Sequence, residues 1–104
     1  MIITTSDTIE GKTITKTIGM VKGNTIRARH IGKDITAGLK TLVGGEISEY
    51  TKLMAESREQ AIDRMIQDAR RVGANAIIGV RFTTSVIMGG SAELLAYGTA
   101  VITD

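Results

Sequence analysis

The sequence predicts an α+β domain of two layers, one long helix packed on an antiparallel sheet, and three observations predict it. From Tyr50 to Val72 apolar residues recur at helical spacing, and from Ala76 to Met88 they alternate. After Gly89-Gly90 a second strand-like run, Leu94 to Ile102, returns along the first. The 104 residues suit a single domain, 1–104, with no repeat, linker or low-complexity tract to divide it.

In chain order, Met1 to Thr5 is a short β-branched strand that Ser6-Asp7-Thr8 interrupts. Glu10-Gly11-Lys12 marks a turn. From Thr13 to Met20, Ile14, Ile18 and Met20 share one face with Lys16, the pattern of a polar, half-exposed strand. Gly23-Asn24 reads as a further turn before a short extended run, Thr25 to His30. Ile35, Leu39 and Leu42 then recur at helical spacing between Lys33 and Leu42, and Gly44-Gly45 stops that short helix.

The long helix starts at Ser48, a suitable N-cap, with Glu49 in the first turn where negative charge favours the dipole. Tyr50, Met54, Ala61, Met65, Ala69 and Val72 form its apolar stripe, and Leu53, Ile62 and Ile66 widen it. Arg70 and Arg71 fall in the last turn, and Gly73 supplies the left-handed C′ residue.

In the following hairpin, pairing Met88 with Ser91 sets Phe82 opposite Tyr97, Val80 opposite Thr99 and Ile78 opposite Val101, one apolar strip. Gly79, Ala96, Gly98 and Ala100 then lie on the other face, small enough to admit close approach of another element. Both faces of this hairpin are substantially apolar, and one helix covers one face. Either the short helix and the N-terminal segment cover the other, or a second copy of the chain does; the second copy is the expected cover, with those four residues as its interface.

Composition narrows the function. A formal charge of +2 is too mild to demand a polyanion, and Tyr50, Phe82 and Tyr97 give little material for stacking bases, so nucleic acid is disfavoured as a partner. No stretch is long and apolar enough to cross a membrane as a helix, and the N-terminus lacks a signal-peptide pattern. The expected location is the cytoplasm, with no membrane partner. The sequence contains no Cys and a single His, so thiolate metal sites, cysteine nucleophiles and a hydrolase triad lack their residues. The expectation is a protein that is not an enzyme.

Several segments together resemble the YbjQ-like family over the whole chain: Ile2-Ile3-Thr4-Thr5, Ile9-Glu10-Gly11-Lys12, Gly19-Met20-Val21-Lys22-Gly23, Asp34-Ile35-Thr36-Ala37-Gly38-Leu39, Val43-Gly44-Gly45, Gly73-Ala74-Asn75-Ala76-Ile77-Ile78-Gly79-Val80 and Tyr97-Gly98-Thr99-Ala100-Val101. The resemblance implies a subunit similar to the dodecin-like class, assembled as a ring-shaped pentamer. The family is biochemically uncharacterised and carries a heavy-metal-binding label. The implied function is a small homo-oligomeric binding or scaffold protein of unknown ligand, its partner being itself.

Two site readings stand beside that one. The first is a metal site at His30 and Asp34, repeated around a ring, with a divalent ion as the one cofactor class kept open. The second is an anion or nucleic-acid site on the basic edge formed by Arg27, Arg29 and Lys33. For both, a solvated polar edge is the simpler account of the same residues. Five Met residues suggest thioether ligation, but their positions on helix and strand patterns read as core filling.

Overall fold

The computed structural model describes residues 1–27, 48–87 and 91–104. Its elements are β1 (Ile2–Ile3), β2 (Ile14–Arg27), α1 (Ser48–Arg71), β3 (Ala76–Ile87) and β4 (Ser91–Thr103), with the strands in the order β1-β3-β4-β2. The β2–β4 and β3–β4 pairs are antiparallel and β1 runs parallel to β3, so the sheet is mixed rather than purely antiparallel. Among the described residues, α1 covers one face of the sheet, chiefly over β2 and β4. The short helix expected over Lys33 to Leu42 lies outside the described residues.

The long helix follows the sequence closely. Gly73 has φ +83°, its N–H donates to the Arg70 carbonyl at 3.1 Å, and the Ala74 N–H donates to the Ala69 carbonyl at 3.0 Å. This is the Schellman arrangement, with Ala69 and Ala74 both in the buried cluster as its apolar contact. Ala61, Met65 and Ala69 are fully buried against Val21, Ile77, Val80, Leu94, Ala96 and Ala100. Ser57 is buried on the same stripe and does not follow from an apolar pattern; its hydroxyl donates to the Leu53 carbonyl at 2.9 Å, which removes the desolvation cost.

Gly23-Asn24 is not a turn. β2 runs through it unbroken for 14 residues, pairing Gly23 with Ala96 and Asn24 with Leu95. The glycine is there for space: a Cβ at position 23 would collide with the Ala61 carbonyl oxygen and the Met65 amide nitrogen, and would lie 2.7 Å from the Arg64 Cβ. The helix backbone rests directly on this point of the strand.

The hairpin register also differs from the expectation. Ile87 pairs with Ser91 and Phe82 with Ala96, and a bulge between Ile78 and Arg81 shifts the lower part by one further residue, so that Ile77 faces Ala100 and Ile78 faces Thr99. Gly79 sits in the bulge at φ +61°, a left-handed conformation that glycine adopts without strain. The extra residue turns Ile77 into the core beside Val80 and puts Ile78 on the opposite face, breaking the strict alternation read from the sequence.

β1 extends its pairing beyond its two residues: Thr4 N–H donates to the Ile77 carbonyl, Val80 N–H to the Thr4 carbonyl and Gly79 N–H to the Ser6 carbonyl. Asn75 joins the helix end to β4. Its side-chain Nδ2 donates to the Thr103 carbonyl at 3.1 Å, and its Oδ1 accepts from the Thr103 N–H at 2.9 Å. The amide thereby does the work of one more residue in the ladder.

Candidate functional site

β2 is an edge strand, and the N–H of Lys22 and the C=O of Asn24 point outward from it. Two helix side chains one turn apart meet these groups. Asp68 Oδ2 accepts from the Lys22 N–H at 3.2 Å, and Arg64 Nη1 donates to the Asn24 carbonyl. Two outward groups of this edge are thus capped by the chain's own helix, which blunts it there as a template for pairing with another strand.

Beside these clips lies an open groove of about 520 Å³, lined by Lys22, Gly23 and Asn24 from β2 and by Arg64, Gln67, Asp68 and Arg71 from α1. The helical members are spaced so that they share one face. Arg71 Nη2 donates to Asp68 Oδ1 at 2.7 Å. That hydrogen bond, with the Lys22 N–H, holds the Asp68 carboxyl below the usual carboxylate range. Gln67 Nε2 is tied to Asp63 Oδ2 at 2.8 Å. The sequence offered a signal for this group, since Arg64, Asp68 and Arg71 recur at helical spacing, but a charged helix face carries no sign of what lies beside it.

The residues singled out from sequence fall elsewhere. His30 and Asp34, the metal candidates, and Arg29 and Lys33 of the basic edge lie outside the described residues. Arg27 ends β2 opposite Ala92. Ala96, Gly98 and Ala100 are buried within the single chain on the helix-covered face, and the close approach at Gly98 is made by Ile77 and Val80 of β3. Gly79 is half-buried in its bulge, with Asp7 Oδ1 the nearest group to where a Cβ would stand.

The opposite face of the sheet carries rows across three strands: Ile78, Thr99 and Met20; Arg81, Tyr97 and Lys22; Thr83, Leu95 and Asn24; Ser85, Glu93 and Ile26. Met20 is 71% exposed and Ile26 58%. On the helix side, α1 leaves much of β3 uncovered. Every residue from Arg81 to Ser85 is exposed, and Phe82, which points to the helix face, is 44% exposed. The corrected register makes the hairpin more amphipathic than the sequence suggests, yet it leaves apolar side chains open on both faces.

Among the described residues no group of three or more His, Cys, Asp or Glu is placed to hold a metal ion. Without Cys, and with one His, the donor set does not suit a soft heavy metal. Among them, too, no helix is long and apolar enough to cross a membrane.

Comparison with known proteins gives a consistent picture. A family model of the YbjQ type, described as "Putative heavy-metal-binding", matches residues 1–104. A UPF0145 protein of Methanosarcina acetivorans is 60% identical over 97% of this chain and 95% of its own length. A UPF0145 protein of Dehalococcoides mccartyi is 57% identical over the whole of both chains. Among solved structures, a protein of unknown function of the DUF74 family from Pediococcus pentosaceus superposes with a TM-score of 0.61 at 20% identity, covering 100% of this chain and 98% of that one. At that identity the likeness concerns the fold alone.

Proposed function

This chain belongs to the YbjQ family, and from that membership and its own surface we propose that it is a non-enzymatic binding or scaffold subunit, working as a homo-oligomer in the cytoplasm. The observation that carries the proposal is the uncovered hairpin. β3 and β4 have 12 and 13 residues, a span of roughly 40 Å. They run past the cover of α1 and leave Phe82 open. The Cα radius of gyration is 16.9 Å, against about 13 Å for a compact chain of this length. An extended shape with apolar side chains open on both faces of one sheet is that of a subunit awaiting neighbours.

Of the ways to assemble, the ring-shaped pentamer that the sequence resemblance implies is the form we propose. Native mass spectrometry at micromolar protomer concentration tests it. A pentamer is the expected result, and a monomer alone would remove the proposal.

A second reading, metal binding through His30 and Asp34, is favoured only by the family's description. Calorimetric titration with zinc, copper and nickel separates it. Heat in the wild type that disappears in His30→Ala supports it, and heat unchanged in the variant rules His30 out.

A further inference from the structure

We propose that the groove between the outer edge of β2 and the C-terminal half of α1 is a binding site for the phosphate group of a small ligand. The proposal gives the binding subunit described above a site and a ligand class, and rests on that reading. Arg64 and Arg71 of α1 line the groove against a single carboxylate, Asp68, while Lys22 lines it through its backbone and sends its side chain to the opposite sheet face. Two guanidiniums against one carboxylate leave the groove with a local excess of positive charge.

The carboxylate does not spoil the site. Both Asp68 oxygens are engaged, one by Arg71 and the other by the Lys22 N–H. It serves as a strut that orders Arg71 across the groove. Arg64 is ordered in the same way by the Asn24 carbonyl. Each guanidinium uses one nitrogen for this anchoring and keeps further N–H donors, in a planar fork that matches phosphate. Side chains already held in place lose less freedom when a ligand arrives.

The volume of about 520 Å³ falls in the range of small-molecule sites. No aromatic side chain lines it, so recognition falls to the charged group and not to a stacked ring. A sheet edge 14 residues long with a glycine at the helix crossing explains why the site forms here: Gly23 brings α1 close enough for Arg64 and Asp68 to reach the strand.

The test is an NMR titration of the full chain, following the backbone amides of Lys22, Asn24, Gln67 and Asp68. Three arms are run at equal ionic strength: inorganic phosphate, a nucleoside monophosphate, and chloride. Saturable shifts at these amides with both phosphates and not with chloride are expected. Tighter binding of the nucleotide assigns the site to phosphorylated small molecules, and equal binding assigns it to free phosphate. The variant Arg71→Glu, which leaves the Arg64 to Asn24 bond in place, is expected to weaken binding at least about tenfold. Arg71→Lys should retain part of it. Shifts that match those in chloride, that map elsewhere, or that persist undiminished in Arg71→Glu overturn the proposal. Native mass spectrometry of the same samples reports assembly separately, so loss of the groove and loss of the oligomer are distinguishable.

Discussion

Replacing Gly23 by alanine puts the contact between α1 and β2 under direct load. The new Cβ meets two backbone atoms, the Ala61 carbonyl oxygen and the Met65 amide nitrogen, and sits 2.7 Å from the Arg64 Cβ. None of these can rotate away. Restoring ordinary contact distances requires the helix to lift by roughly 1 Å. Overpacking of this kind costs about 1–3 kcal/mol. The lift also stretches the bonds from Arg64 to Asn24 and from Lys22 to Asp68, which at this exposed position contribute about 0.5–1 kcal/mol each. Against this, alanine in a strand interior recovers about 0.5–1 kcal/mol of backbone entropy. The net expectation is a loss of about 3 kcal/mol, which lowers the melting temperature by about 15 °C. Urea denaturation followed by circular dichroism, at one fixed protomer concentration, measures it. Gly11→Ala is the control. Gly11 has φ +78° with nothing within 4 Å of its Cβ position, so only local strain of about 1 kcal/mol is added. If Gly23→Ala loses no more than this control, the direct helix–strand contact is refuted.

Three further outcomes follow from the same geometry. Asp68 titrates below the usual carboxylate range because it is paired in the folded chain, so its contribution is present above the unfolded pKa and is lost as pH falls through the folded one. Between pH 5 and pH 2, on the order of the carboxylate range, wild type should lose more stability than Asp68→Asn; parallel curves would contradict the pairing. Asn75→Ala removes both amide bonds to Thr103 and should cost about 2 kcal/mol, whereas Asn75→Asp keeps the acceptor but not the donor and should fall between, as read by thermal melts. Gly79→Ala forces a side chain into a left-handed conformation and should cost about 1–2 kcal/mol; an unchanged melting temperature would place the bulge elsewhere.

Much of the helix was legible in the sequence because its determinants are local. The stripe from Met54 to Val72, the cations of the last turn and Gly73 act within a few residues of one another, and the structure forms the expected cap around them. The strands were legible as strands but not in register. A period-two pattern specifies alternation until an extra residue is inserted; Gly79 is the residue type a bulge favours, but a glycine inside a strand equally marks a close backbone approach and does not fix the register. Gly23 was misread for a related reason. Beside Asn24 a glycine signals a turn, and only the helix resting upon it shows that its role is to leave space. The groove was hidden because Arg64, Asp68 and Arg71 look like a solvated face until Lys22 and Asn24 are brought beneath them across the fold.

The sequence by itself determined the long helix, the strand character of the hairpin segments and the family, since these rest on local periodicity, capping and motif order. Tertiary structure alone decided that the sheet is mixed, which face each hairpin residue occupies, and that Arg64 and Asp68 of α1 meet the outward backbone groups of β2. Those outcomes depend on contacts such as Lys22 with Asp68, 46 positions apart, and a contact of that span leaves no periodic trace in either segment.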